Sequence, residues 1–118
     1  MTKKILIVDD DSEDLIAIKS LLETQKYKTI TAVNGAEALD ILKKNKLDLI
    51  LIDILMPVLS GYDLLRLLRE KLNHKVKMIY ITILPKQDIN LTDVDGVVQK
   101  PFSPESLLKE VKRVLKER

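Results

Sequence analysis

The chain has 118 residues, a length that fits one domain of ordinary size with its own hydrophobic core. Hydrophobic residues make up 46% and charged residues 32%, which is typical of a folded globular protein and excludes a disordered one. No cysteine is present, so a disulfide framework, a thiolate metal site and a cysteine nucleophile are excluded. A net charge of +2 with 3% aromatic residues does not favour direct nucleic-acid binding, and no stretch approaches the roughly 20 apolar residues of a membrane span. We expect a cytoplasmic protein.

Five short segments have the composition of β-strands, because they are rich in branched aliphatic residues and bounded by polar or turn residues. In chain order they are Lys4–Val8, Tyr27–Val33, Leu47–Ile52, Val76–Ile81 and Gly96–Gln99. The third is apolar on both faces, as a central strand of a covered parallel sheet must be. The second alternates weakly, which is typical of an edge strand.

Helical patterns lie between these strands, and each begins at a residue that can cap a helix. The predicted starts are Asp11-Ser12, Asn34-Gly35, Ser60-Gly61 and Ser103-Pro104. Segment 83–95 has low helix propensity, so a short or irregular helix is expected there. Strands alternating with helices predict an α/β fold with a parallel sheet, as a single domain over residues 1–118.

Polar residues stand at the carboxyl ends of four predicted strands. Asp9 and Asp10 follow the first strand, Asp53 the third, Thr82 the fourth and Lys100 the fifth. The carboxyl ends of the strands form the ligand crevice in an open α/β sheet, so these residues are expected to converge. Taken singly, each has a simpler interpretation as a turn, cap or surface residue, but their coincidence at one edge is improbable.

The chemistry that joins these residues is phosphoryl transfer to a carboxylate. Three close carboxylates raise one another's pKa unless a cation is present. Magnesium is typically held by one or two carboxylates together with waters and phosphate oxygens. A carboxylate can then act as nucleophile and become an aspartyl phosphate, while hydroxyl and ammonium groups stabilise the transferred oxygens.

Four blocks, ILIVDDD, LILIDILMPVLSG, IYIT and VVQKPF, occur in an order that resembles response-regulator receiver domains of two-component signalling, such as the chemotaxis receivers. The resemblance covers essentially the whole chain. It implies a doubly wound, flavodoxin-like sheet of five parallel strands in the order 2-1-3-4-5. It also implies a phosphoacceptor signalling domain rather than an enzyme. Its donor would be a histidine kinase or histidine phosphotransfer protein, its output partner is unknown, and a monomer or weak dimer is expected.

The resemblance also implies a role for each site residue. Asp53 would be the phosphoacceptor and Asp10 a direct Mg²⁺ ligand, with Asp9 holding the ion through water. The backbone carbonyl of Leu55 would be another ligand, and Asp53 itself would contribute to the metal site.

Thr82 and Lys100 would contact the phosphoryl oxygens, and the bond between Lys100 and Pro101 is expected to be cis. The chain departs from the family after the threonine, where Ile83 stands in place of a small residue. It departs again at Val97, where an aromatic residue is common, and the segment from Thr82 to Lys100 is short.

Other functions fit less well. A haloacid-dehalogenase phosphatase needs a second acid two residues after its nucleophile, where this chain has Leu55. A nucleotide-binding module needs a glycine-rich phosphate loop, and no strand is followed by one. A receiver-like docking module without phosphorylation control stays open as the alternative. His74, the only histidine, is expected at a solvated helix end. Whether the chain acts alone or belongs to a longer protein stays open.

Overall fold

The computed structural model describes residues 2–72 and 76–117, with only the backbone described at 71 and 72, so His74 lies outside the described residues. Its centre is a sheet in which every neighbouring pair of strands is parallel. The strands are β1 Lys4–Val8, β2 Lys28–Ala32, β3 Leu49–Ile52, β4 Lys77–Thr82 and β5 Gly96–Gln99. Their order is β2-β1-β3-β4-β5, which confirms the predicted fold class and strand order.

Four α-helices connect and cover these strands within the described residues. They are α1 Ser12–Thr24, α2 Gly35–Lys44, α3 Gly61–Leu67 and α4 Pro104–Leu115. All four predicted starts are confirmed, because the side chains of Asp11, Asn34, Ser60 and Ser103 accept hydrogen bonds from the first backbone N–H groups of their helices. Helix α3 widens into a π-helical turn at Leu68–Leu72, a feature that the sequence pattern does not indicate.

Segment 83–95 forms no α-helix and contains a single 3₁₀ turn at Lys86–Asp88. The sequence predicts this weakness, since branched, acidic and proline residues disfavour a helix. The segment still covers the sheet, because Ile89 is buried and Leu84 and Val94 pack against the core. A few apolar side chains of this segment therefore cover the sheet here, whereas amphipathic helices cover it elsewhere in the fold.

The hydrophobic core has two parts, one on each face of the sheet. Successive residues of β1 and β3 point to opposite faces, so Leu6 and Ile50 lie in one part and Ile7 and Leu51 in the other. Helices α2 and α3 cover the first part, and α1 and α4 cover the second. Strands β1 and β3 are therefore buried on both sides and form a rigid base for the residues that follow them.

Both edges of the sheet carry polar groups. On β2, Lys28 is exposed and Thr29 is half-buried. On β5, the backbone N–H of Val97 donates to the Glu110 carboxylate of α4 at 3.1 Å. Gly96 makes room for that carboxylate, because a Cβ atom there would lie 2.6 Å from it. No helix in the described part of the chain is both long and apolar enough to cross a bilayer.

Candidate functional site

The ends of β1 and β3 lie side by side at the centre of the sheet. Val8 is paired with Ile52, so the residues that follow, Asp9 and Asp53, emerge at the same level. The Asp53 N–H donates to the Val8 carbonyl at 3.0 Å, which extends this pairing by one residue. As a result, carboxylate oxygens of Asp9, Asp10 and Asp53 all lie within 4.8 Å of one another.

The three acids differ in burial. Asp9 is fully buried and Asp53 is 7% exposed, whereas Asp10 faces solvent. One oxygen of Asp9 accepts the Asp11 N–H at 2.9 Å, and one oxygen of Asp53 accepts the Leu55 N–H at 3.0 Å. Each buried carboxylate is therefore held by its own turn and presents its second oxygen to the crevice.

Lys100 supplies the positive charge at the site. Its Nζ atom lies 2.7 Å from Asp9 Oδ2, 2.7 Å from Asp14 Oδ2 and 3.0 Å from Asp53 Oδ2. The expected cis bond between Lys100 and Pro101 is present, and the Lys100 N–H donates to the Thr82 carbonyl at 2.7 Å. The Lys100 side chain is only 10% exposed, so it spans the crevice largely shielded from solvent.

Burial and ion pairing act against each other on the pKa values here. Burial alone would lower the pKa of Lys100, but its hydrogen bonds to Asp14, Asp9 and Asp53 outweigh that effect and raise it. Burial raises the pKa of Asp9, and the hydrogen bonds from Lys100 and the Asp11 N–H offset only part of the rise. The two directions are compatible because Lys100 has three acidic partners whereas Asp9 has one cationic partner. Lys100 therefore stays protonated.

Thr82 and Leu55 lie at the same edge of the sheet. Thr82 is fully buried at the end of β4, beside β3, and its hydroxyl accepts the Leu84 N–H at 3.3 Å. Leu55 follows Asp53 by two residues, with its side chain 47% exposed. Its carbonyl accepts no hydrogen bond from the described residues and so is available as a ligand. The roles predicted for these two residues stay predictions.

Asp14 is the site residue that sequence reasoning missed, and its carboxylate accepts a hydrogen bond from Lys100 at 2.7 Å. It lies in the first turn of α1, which begins directly after the acids that follow β1. Side chains of a helix tilt toward its N-terminus, so a first-turn acid points back to the strand ends. That tilt, read with the three-residue spacing from Asp11, is the signal that could have placed Asp14 near the site.

Helix α3 approaches the acceptor segment closely, and this contact requires glycine. A Cβ atom at Gly61 would lie 2.8 Å from the Asp53 carbonyl oxygen and 2.9 Å from the Ile54 Cα atom, both in the backbone. The Gly61 N–H donates to the Ile54 carbonyl at 3.0 Å. Any larger residue would push α3 away from the segment that positions Asp53.

The donor set fits a hard divalent cation. Three carboxylates and an unengaged carbonyl offer oxygen ligands only, and the exposed Asp10 leaves one side open to water. Four acids face one lysine, because Asp14 adds to Asp9, Asp10 and Asp53. A cation would compensate this excess negative charge.

Comparison with known proteins identifies the family. The model of the response regulator receiver domain matches residues 5–112, which is most of the chain. The chain belongs to this family. The identification confirms the family resemblance of the four sequence blocks and makes the protein a signalling domain of two-component systems. The family identification does not favour the alternative of a docking module without phosphorylation control.

Individual receiver relatives agree with the family assignment. The probable transcriptional regulator ycf27 of Porphyra purpurea is 37% identical over 122 residues, covering 97% of this chain and 48% of the relative. The heme response regulator HssR of Staphylococcus saprophyticus is 32% identical over 113 residues, covering 94% and 50%. This receiver chain therefore spans about half the length of these curated relatives. The chemotaxis response regulator CheY4 of Vibrio cholerae is 31% identical with a TM-score of 0.88, covering 97% of this chain and 99% of that one.

Proposed function

We propose that Asp53 accepts a phosphoryl group from a phosphohistidine, carried by a histidine kinase or a histidine phosphotransfer protein, in a reaction that needs Mg²⁺. One observation carries the proposal: Asp53 Oδ2 lies 3.0 Å from a protonated lysine, while its carboxylate also belongs to the cluster of three acids. An acid with both a fixed cation and a metal-binding set beside it is suited to phosphoryl transfer.

The reaction forms one bond and breaks one bond. A carboxylate oxygen of Asp53 attacks the phosphorus atom and forms a P–O bond. The P–N bond of the donor breaks, and its electron pair goes to the imidazole nitrogen. Lys100 donates hydrogen bonds to a phosphoryl oxygen from the position in which it already contacts Asp53.

The remaining site residues act on the charge and the position of the transferred group. Asp10, Asp53 and the Leu55 carbonyl would hold Mg²⁺ directly, and Asp9 through water. Mg²⁺ held there would neutralise negative charge on the phosphoryl oxygens. The hydroxyl of Thr82 is one strand away from Asp53 and would turn from the Leu84 N–H to a phosphoryl oxygen.

The unit proposed to do this is a single receiver domain over residues 1–118. We also propose that it works as a monomer or weak dimer and signals to an output protein. The rival function is a docking module that takes up no phosphoryl group. The acid cluster and its lysine favour the phosphoacceptor, because docking alone requires neither.

The first prediction tests the acceptor. The native chain incubated with phosphoramidate, a small P–N donor, or with an autophosphorylated histidine kinase should gain one phosphoryl group in Mg²⁺ and none in excess chelator. Asp53→Asn should gain none, because its amide is a poor nucleophile. Intact-mass spectrometry measures the uptake.

The matched control is Asp40→Asn, which removes an exposed acid on α2 far from the crevice. It should take up phosphate like the native chain. Equal uptake by Asp53→Asn, or no uptake by the native chain from either donor, would refute the acceptor assignment.

A further inference from the structure

Asp14 contacts the lysine of the site but stands apart from the acid cluster. Its carboxylate lies 2.7 Å from Lys100 Nζ, as close as Asp9 and closer than Asp53. It is not one of the three acids whose oxygens lie within 4.8 Å of one another. Asp14 therefore contacts the lysine and lies outside the group of acids that could bind a metal ion.

The lysine ammonium uses all of its donors at this point. An ammonium group has three N–H donors, and three carboxylates accept from Lys100. Two of these acids, Asp9 and Asp53, also belong to the cation-binding set. A bound cation would draw on their oxygens, and Asp14 would remain as the acid committed to Lys100 alone.

A lysine needs such a partner more than an arginine would. Its ammonium is a point charge on a flexible four-carbon stem, so one contact does not fix it. Lys100 reaches Asp14 and Asp53 at the same time, which means that it need not leave Asp14 to touch the acceptor. The contact with Asp14 restrains the ammonium without withdrawing it from Asp53.

We propose that Asp14 is a positioning residue that tethers the Lys100 ammonium against Asp53 for phosphoryl transfer. The inference rests on the proposed function and adds a residue to it. Asp14 touches neither the acceptor nor the transferred group, and it acts through Lys100.

A purely structural role for Asp14 is the competing explanation. Acids in the first turn of a helix stabilise its N-terminus, and α1 has two, Glu13 and Asp14. Glu13 is exposed and makes no ion pair with the described residues, so it shares the helix effect but lacks the lysine contact. Glu13→Gln is therefore the matched control for Asp14→Asn.

The test compares these two variants in two measurements. The first is the rate of phosphoryl uptake from phosphoramidate at saturating Mg²⁺. The second is the exchange of the Lys100 ammonium protons with water, followed by NMR in the unphosphorylated protein. Asp14→Asn should slow uptake roughly threefold to tenfold, the effect expected when one partly exposed charge-assisted hydrogen bond is weakened, and it should speed ammonium exchange. Glu13→Gln should match the native chain in both.

Three results would overturn the inference. They are an uptake rate of Asp14→Asn equal to or above the native rate, an equal loss in Glu13→Gln, and unchanged ammonium exchange in Asp14→Asn. The failure of the proposed function looks different, because the native chain itself would then take up no phosphoryl group.

Discussion

Leu55 and Ile83 are apolar residues at exposed positions shortly after Asp53 and Thr82, 47% and 67% exposed. Each lies in the turn that directly follows a strand of the site. Leu84, in contrast, is half-buried and packs against the core. We propose that Leu55 and Ile83, and not the core residue Leu84, shield the aspartyl phosphate from water.

Leu55→Asn should speed the hydrolysis of the aspartyl phosphate, because an amide can hold an attacking water where the leucine side chain excludes it. The expected gain is roughly threefold to tenfold, below general-base catalysis because asparagine does not take a proton. Loss of the phosphoryl group is followed by intact mass after removal of the donor.

Val58→Asn is the matched control for this change. Val58 lies in the same loop, is fully exposed and has a φ of 70°, a conformation that asparagine tolerates well. A rate in Leu55→Asn no higher than in Val58→Asn would contradict the shielding role.

The sequence predicts the location of a single side chain well when that residue directly follows a strand. Asp9, Asp10 and Asp53 were predicted to converge because parallel strands end at one edge, and their oxygens do meet. The contact of Asp14 with Lys100 could not be predicted in the same way. It depends on how α1 leaves β1 and on which of many rotamers the lysine side chain adopts.

Most hydrogen bonds between segment 83–95 and its neighbours lie at its C-terminal end, where Arg69 donates to Asp93 and Asp95 and Arg113 donates to Asp95. The Tyr62 hydroxyl accepts the Asn90 N–H at 2.9 Å, and the Gln99 side chain donates to the Leu84 carbonyl at 2.6 Å. A segment with one 3₁₀ turn and few buried side chains lies at the low-stability end of a structure. Val97 differs, because the Glu110 carboxylate holds its N–H and its side chain packs on the core.

Phosphorylation should therefore change the amide protection of segment 83–95, beginning with a loss at Leu84, and leave Val97 nearly unchanged. Thr82 connects the site to this segment, since its hydroxyl holds the Leu84 N–H, and a turn of Thr82 toward phosphate would release that bond. Val97 is short and stiff at χ1, so it makes no large swing. Amide hydrogen exchange with and without beryllofluoride measures the effect, with Asp53→Asn as the unresponsive control. Protection that changes at 97–99 and not at 83–95 would contradict this path.

The limits of the strands show what local pattern leaves undecided. β3 was predicted from Leu47 but begins at Leu49, although the Asp48 N–H still donates to the Lys4 carbonyl at 2.9 Å and the Asp48 carboxylate accepts the Lys4 N–H at 2.8 Å. β2 was predicted from Tyr27 but begins at Lys28, since Lys26 has a φ of 66° and the Tyr27 ring joins the core. The positive φ of Lys26 is a backbone feature that the residue pattern does not show.

Over the whole molecule, the alternation of strands and helices was enough to predict a covered parallel sheet. It was not enough to predict the strand order, because several orders satisfy the same alternation. The order came from the resemblance of the four blocks to receivers, and the structure confirms it. The missing helix between β4 and β5 was visible only as weak helix propensity, which does not reveal that Ile89 would fill its place in the core.

Acid should weaken the molecule through Glu110. Hydrogen bonds from Arg113 lower the Glu110 pKa, burial acts in the other direction, and the Val97 N–H lowers it further. Because the pKa is lower in the folded state, this stabilisation is complete above the ordinary value of 4.5 and is lost as pH falls through the folded value. Urea unfolding at ~pH 6 and ~pH 3.5 should therefore show a smaller acid loss in Glu110→Gln than in the native chain.

Asp40→Asn is the control for this measurement, since Asp40 is exposed in the middle of α2 and makes no ion pair with the described residues. It should lose as much stability in acid as the native chain does. An acid loss in Glu110→Gln equal to that of Asp40→Asn would contradict the assignment.

The hydrogen bond between Glu110 and Val97 also affects whether copies of the chain can pair through their edge strands. A strand that added to the free side of β5 would need the Val97 N–H, and the glutamate already occupies it. Edge strands with unpaired backbone groups are templates for aggregation, and an inward-facing acid is one way to block them. On the opposite edge, the exposed Lys28 of β2 opposes the same kind of addition by charge. Acid would remove the first protection and not the second, so β5 is where fibre-like pairing between copies would begin at low pH.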